Sequence, residues 1–366
     1  HIADANVTQA KIAGEAINES KLQVSNAPTN GYFLSAQSGN TGGLTWAAAS
    51  GGADPDLYRD NAVNATTPTA AGDNGIAIGS NASNTTTHGS SNALAIGTNA
   101  VADYWATALG AGTDATGNSS LAIGYNSQAT GTKSTSIMNS YASGAAAFAA
   151  VIDNNTSTYG ATGANSVAIG KNAKASNSYG VALGLASLSS GVGAYSLGYN
   201  SVASGNYSTV FGFFGQALEE RKVAISGGGF AARGDAQSGI FVLRSDTTNA
   251  TAEALTTSNG TAGTTNQIIL PNNSAYSFSG TIIARQQASQ GTACAAWEIK
   301  GLIRREGSAG TTVLVNSATT VLDNTPSWGM ALSADTTNGG LKIQVTGAAS
   351  TNIRWVATIN TSEVTY

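Results

Sequence analysis

A short phrase, aliphatic–small–aliphatic–anchor, returns about every fourteen residues between Ile76 and Gly227. Its anchor positions are Gly79, Gly97, Gly110, Gly124, Met138, Ile152, Gly170, Gly184, Gly198, Gly212 and Ser226. Most intervals are 14 residues; Gly97 to Gly110 is 13, and two intervals of 18 read as coils with a four-residue insertion. The residue before each anchor is aliphatic or aromatic, from Ile78 to Ile225. Two before it stands Ala or Ser, with only Val210 larger. One side-chain rule kept over eleven copies marks a repeat architecture, each copy a unit stacked on the next.

Strand side chains alternate, so Val167 and Ile169 share one face and Ala168 takes the other. Seven residues past the anchor a turn residue recurs: Gly117, Gly131, Asn177, Gly191 and Gly205. Glycine and asparagine tolerate the positive φ of tight turns. Each copy therefore reads as two short strands and two turns, one coil of a parallel roll. Asn81, Asn99, Asn126, Asn172 and Asn200 share one turn position and are expected to form a ladder, each amide bonding the backbone of a neighbouring coil. The aliphatic side chains are expected to fill each coil. So thin a core is weak against roughly 1–2 kcal/mol of backbone entropy per ordered residue. The Ala and Ser face is then expected to admit a neighbouring chain, so that several rolls share an axis. Met138 and Ile152, in place of glycine, are expected to distort their coils.

Composition excludes several classes. Charged residues are 10% of the chain, against about 25% in an average domain. Regularly placed aliphatics argue against disorder. A net charge of -4 gives no basic footprint for nucleic acid. Cys294 is alone, so no intrachain disulfide framework is available. No apolar run approaches the roughly 20 residues of a membrane-spanning helix.

Outside the repeats the pattern changes. In residues 1–25, Ile2, Val7, Ile12, Ile17 and Leu22 recur every five residues, a spacing that fits neither helix nor strand. A thin shaft shared by three chains and a loosely helical linker both remain open. Residues 26–50 carry turn residues around two apolar runs and read as a hairpin. Residues 51–74, with Pro55 and Pro68, read as a linker. The repeats occupy 75–227, and 228–265 reads as a connector holding one short strand, QSGIFVLRSD. In 266–366, Trp297 and Ile299 alternate with Glu298 and Lys300, and Ile353, Trp355, Ala357 and Ile359 with polar residues. Turn clusters separate such runs, as in an antiparallel β-sandwich or jelly-roll of about 100 residues.

NSVAIGKNAKASNSYGVALGLASLSSGVGAYSLGYNSVASGNYSTVFG, residues 165–212, resembles the head repeat of trimeric autotransporter adhesins. That resemblance implies a left-handed parallel β-roll, three chains around one axis, serving attachment to surfaces. The wording of residues 1–50 resembles connecting segments of bacteriophage tail fibres. GDAQSGIFVLR, ILPNNSAYSFSGTIIARQ and AAWEIKGLIRR, with the strands that follow, resemble a C-terminal domain of phage tail and fibre proteins. Together the likenesses imply an all-β, homotrimeric, non-enzymatic fibre on a virion, outside the cell. Residues 1–50 would meet an upstream virion or tail component. The roll would be a rigid spacer, and the terminal domain would hold the trimer and contact a host-surface glycan or protein. A purely structural fibre or decoration protein, a bacterial surface adhesin and a polysaccharide depolymerase are the alternatives.

Chemistry-bearing residues are sparse. His1 and His88 are the two histidines. Neither has a metal-ligand partner at useful spacing or the carboxylate and nucleophile that a hydrolytic triad needs. No cofactor, metal or catalytic residue is expected. Glu219, Glu220, Arg221 and Lys222 are the densest charge cluster. Adjacent strand positions diverge, so Glu219 and Glu220 are expected to sit apart on a solvated bend closing the roll. Asp153–Asn154–Asn155, in the longer insertion, offers oxygen ligands for a cation but reads better as a surface turn. Arg233–Gly234–Asp235 spells the integrin tripeptide, but three-residue matches are frequent. Trp297 and Trp355 read as core, whereas Trp328, after Pro326 in a loop, is the candidate exposed receptor contact.

Overall fold

The structure, a computed structural model, describes residues 24, 26–27, 29–30, 32–36, 39, 43–48, 66–70, 74–84, 92–151, 153, 158–324 and 326–366. The five-residue pattern of Ile2 to Leu22, His1, His88, Ile152, Asn154 and Asn155 lie outside these residues. The chain forms two compact units, His1–Arg59 and Asp60–Tyr366. In the first, Tyr32–Ala36 and Leu44–Ala48 pair antiparallel as the expected hairpin, Tyr32 opposite Ala48. Asn26 fastens it: its Oδ1 accepts from the Trp46 N–H at 2.6 Å, and its Nδ2 donates to the Trp46 carbonyl at 2.6 Å.

The second unit is built from strands, and no α-helix occurs among the described residues. Each repeat contributes one strand to each of two parallel stacks. The anchor phrases, from Ile76–Ile78 to Val223–Gly227, form one stack. Shorter strands, from Thr69–Ala70 to Gln216–Ala217, form an eleven-stranded second sheet. Register is kept side chain on side chain: Ala122 stands beside Ala108 on one side and Ser136 on the other.

The sequence expectation for the coil interior is reversed. Ala95, Ala108, Ala122, Ala168 and Ala182 are wholly buried, packed among Ala102, Ala115, Ala129 and Ala175 of the opposite strands. The aliphatic residues face outward, and Ile76 and Ile225 remain 52% and 48% exposed. The reason is geometric: a coil that reverses after two- and three-residue strands brings its sheets so close that methyl and hydroxymethyl groups fill most of the interior, with Asn84, Thr113 and Val210 the larger exceptions. Some serines that replace alanine inside donate to a carbonyl, as Ser189 does to Ala194 at 2.8 Å and Ser187 to Ser196 at 2.7 Å. Those hydroxyls are thereby satisfied, whereas the buried hydroxyls of Ser120, Ser134 and Ser196 have no hydrogen-bond partner among the described residues.

Two glycine columns have different causes. At Gly97 φ is +133°, and an added Cβ would stand 2.3 Å from the Gly110 carbonyl oxygen. The column of Gly117 and Gly131 is not left-handed. A Cβ on Gly117 would instead meet the Gly131 oxygen at 2.0 Å. Positive φ falls two residues later, at Ser119, Lys133 and Tyr207. The asparagine column does adopt positive φ, from 51° to 57°. Asn81 Nδ2, however, donates to Asn99 Oδ1 at 2.8 Å rather than to backbone.

Met138 leaves strand pairing intact. It takes φ 54° at an exposed turn, and Thr135–Ile137 stays in register with both neighbours. Phe148, Ala149 and Ala150 stand opposite Thr135, Ser136 and Ile137. Val151, with φ 55°, therefore takes the anchor column that the sequence assigned to Ile152.

At Val223–Gly227 the anchor sheet passes into the terminal domain without interruption. Ala236–Thr247, expected as a short connector strand, is twelve residues long. It pairs antiparallel with Val223–Gly227 and with Ile353–Thr365. Ser274–Gln286, Cys294–Arg305 and Val313–Asp323 complete a sixteen-stranded sheet. A four-stranded sheet containing Ile268–Ile269, Gly329–Asp335 and Gly340–Thr346 backs it. Between them lies the large-residue core, with Trp355, Trp297, Phe241, Leu243, Ile282 and Ile343 buried.

Ala168→Leu should overfill a coil, lowering stability by about 1–3 kcal/mol or preventing folding. Ile169→Ala should leave the coil's interior intact. Thermal melts followed by circular dichroism test this, and the reverse order of damage would sink the inside-out assignment.

Candidate interaction surface and buried joint

The free face of the sixteen-stranded sheet is the most extensive candidate surface. Along the roll it carries a row of aliphatic side chains, among them Ile123, Ile169, Leu183 and Ile225, none fully buried. In-register stacking turns one outward side chain per strand into a continuous stripe. The face continues across the joint, where Val242, Ile283 and Val356 are exposed. An extended apolar face of this kind is a candidate interaction surface.

Where roll meets terminal domain, the cluster read as a solvated bend is instead buried. Glu219 points inward, while its neighbour Glu220 pairs with Arg221 nearer solvent. Lys222 is only 2% exposed, and its Nζ lies 2.8 Å from Glu363 Oε2 and 3.3 Å from Glu219 Oε2. The ammonium also lies 5.4 Å from the centroid of the Phe241 ring and 5.7 Å from that of Tyr276. Glu363 further accepts from Thr361 Oγ1 at 2.7 Å and Gln237 Nε2 at 2.7 Å. Gly239 makes room, since a Cβ there would stand 2.3 Å from Glu363 Oε1. Gln237 adds a second function. Its side-chain amide accepts from Gln216 N–H at 2.9 Å and donates to Gln216 C=O at 2.8 Å. It thus substitutes for the next coil and closes the last short strand, an edge that repeat stacks must cap.

The pair is electrostatically asymmetric. Burial pushes the Glu219 carboxyl above its usual range, and the opposing effect of Lys222 is weakened by Glu363 nearby. Burial alone would pull Lys222 down, but two carboxylates around one ammonium outweigh it, and its pKa lies above the ordinary lysine value.

The other singled-out residues are dispersed. Trp328 is a correction: it is 5% exposed, 5.7 Å from the Trp355 ring centroid, because Asn324 bonds the backbone N–H and carbonyl of Trp328 and folds the loop inward. Trp297 and Trp355 are core, 5.8 Å apart and stacked. Asp235 of the Arg-Gly-Asp triplet is buried, accepting from the N–H groups of Ala231, Ala232 and Phe230, which hold its carboxyl below the usual range. Arg233 is engaged with Asn200. Asp153 pairs with Lys171 at 2.8 Å on the surface. Exposed aromatic residues lie elsewhere, on the roll's turns: Trp105, Tyr125, Tyr179 and Tyr207. Sequence reasoning placed the ligand question off the repeats. Aligning turn residues by column, rather than anchors alone, would have found them.

The YadA head domain repeat matches residues 69–82, 115–137, 161–187 and 189–214. The roll is similar to that adhesin repeat over these segments. No curated protein matches the chain. Among solved structures, similarity is recorded to the tailspike protein gp49 of Acinetobacter baumannii bacteriophage Fri1, a capsular polysaccharide depolymerase. It is 11% identical, with 76% of this chain and 45% of that chain covered and a TM-score of 0.20. The Acinetobacter baumannii phage AM24 tailspike protein is also 11% identical, with 79% and 51% covered and a TM-score of 0.19. This chain spans about half the length of each.

Removing one member of the buried trio separates its charges. Lys222→Met leaves two uncompensated carboxylates and should cost about 3–5 kcal/mol. Glu219 has a raised folded pKa, so its contribution is greatest below the ordinary glutamate value and is lost as pH rises through the folded value. Glu219→Gln should therefore flatten that acidic-side slope. Lys222, also raised, stabilises at and below neutral pH and loses its contribution at high alkaline pH. Chemical denaturation across pH measures both effects, and an unchanged slope in Glu219→Gln would contradict the assignment.

Proposed function

We propose that the protein is an adhesive fibre component, a homotrimer of a phage fibre or surface adhesin, whose roll is a rigid spacer ending in the terminal β-domain. The observation that carries the reading is the aliphatic stripe. It runs the length of the roll at a constant repeat, so a partner that covers it must present a surface of the same length and period. A second and third copy of this chain do so. Covering even part of each aliphatic side chain contributes roughly 1 kcal/mol, summed over many coils. The match to the YadA head domain repeat supports the same arrangement. Low charge, 10% of residues, suits contact with glycans or mixed surfaces better than with a highly charged polymer. Three weak sites on one rigid body would then gain avidity through effective concentration.

Sedimentation equilibrium of the intact chain should give the mass of three copies. Ile169→Glu combined with Leu183→Glu should shift it to smaller species, and binding of labelled protein to a panel of bacterial cells should fall with it. A wild-type chain that sediments folded at the mass of one copy would refute the trimer. An intact trimer that binds neither cells nor a glycan array would favour a purely structural fibre.

A further inference from the structure

The coil from Gly97 to Gly110 is a residue short, and the shortfall opens a notch in the roll. Val101 and Ala102 stand opposite Asp114 and Ala115 in register. The left-handed turn residue comes three positions after Ala102, at Trp105, but four after Ala115, at Ser119. Stacking resumes at once, with Ser119 N–H donating to the Tyr104 carbonyl at 2.9 Å. The missing residue therefore belongs to the turn before Tyr104. In its place is a concavity of about 390 Å³ lined by Asp103, Tyr104, Thr116 and Asn118. That volume falls within the range of small-molecule sites, roughly 300–1,000 Å³.

The notch has an aromatic flank. Tyr104 forms part of its wall, and the Trp105 ring stacks on Tyr104, 4.9 Å between centroids and 17° between planes. Trp105 is 54% exposed and has φ 56°, a backbone region that bulky side chains rarely occupy. The same turn column elsewhere holds Ser119, Lys133, Ala146, Asn165, Tyr179, Gly193, Tyr207 and Arg221. Exposed rings also stand at Tyr179 and Tyr207 of this column; Trp105 differs in extending, through its stack on Tyr104, the wall of the concavity. Asp103 Oδ1 accepts from the Tyr104 N–H at 2.8 Å, and no hydrogen bond engages Oδ2 among the described residues. Asn118 Oδ1 accepts from the Ser119 hydroxyl, leaving its amide N–H groups toward solvent.

We propose that this notch binds a neutral pyranose of a surface polysaccharide. The apolar face of the sugar lies against the Tyr104–Trp105 pair. Asp103 Oδ2 accepts hydrogen bonds from ring hydroxyls, and Asn118 and Thr116 complete the polar contacts. The lining carries one carboxylate and no lysine or arginine, which disfavours uronic or sialic acids. The proposal rests on the adhesive reading above and supplies it with a contact site on the repeats.

The test uses the full chain and the methyl glycosides of glucose, galactose, mannose and N-acetylglucosamine, with glucuronate and N-acetylneuraminate as acidic controls. Saturation-transfer NMR should show transfer to at least one neutral glycoside and to neither acid. Trp105→Asn, whose side chain suits the left-handed turn, should melt no lower than wild type and weaken binding about tenfold or more; Asp103→Asn should weaken it while keeping the stacked pair. Absence of transfer to every neutral glycoside overturns the proposal, as does transfer unchanged in both variants. Bacterial-cell binding that survives Trp105→Asn unaltered keeps the adhesive reading and overturns this site. Glycoside binding by a protein that binds no cell keeps the site and overturns the adhesive reading.

Discussion

The narrowness of the coil interior governs the structure of the roll. With only short strands between turns, the two sheets approach so closely that alanine and serine fill most of the space between them, with Asn84, Thr113 and Val210 as larger exceptions. Ala168, wholly buried, and Ile169, outward on the next position, show the consequence in adjacent residues. Large apolar side chains have no place inside and are carried on the free face instead. Backbone ladders and methyl contacts hold each coil to the next, while the hydrophobic area that stabilises most domains is left on the outside.

The ends of such a stack are a separate problem, since its last strands present unpaired backbone. The terminal domain meets the problem with two devices. Ala236–Thr247 continues the anchor sheet by pairing antiparallel with the final coil. The Gln237 side chain caps the shorter sheet, where no further strand arrives. The Lys222 ammonium between Glu219 and Glu363 then ties the final coil to the last strand of the chain, 141 residues away. Buried ion pairs of this kind fix position more surely than they add stability. Here they join Glu219 and Lys222 of the final coil to Glu363 of the terminal sheet.

Irregularities in the repeat fall into two kinds. Met138 and Val151 occupy the anchor column without glycine, at φ near 55° rather than the 97–152° of its glycines, yet the flanking strands stay paired. The short coil at Asp103–Trp105 also keeps its pairing, but it changes the surface by opening a notch. A repeat can thus carry a local site without losing its rod, provided the variation is confined to turns.

Much of this was legible in the sequence. The fourteen-residue period, the two strands per coil and the alternating terminal strands follow from side-chain spacing alone, as does the shortened interval ending at Gly110. The sequence also shows that Ile169 and Ala168 lie on opposite faces. It does not say which face is inside, because alternation is symmetric until the distance between the sheets is known, and intuition assigns the larger residue to the core. Only tertiary structure decided that, and with it the exposure of the aliphatic stripe. The same holds for Lys222 and Trp328. A charge cluster and a loop tryptophan read as surface until strands distant in sequence close over the first and Asn324 turns the second inward. Periodicity is a local property that the chain writes openly; which side is buried depends on contacts between residues far apart in sequence.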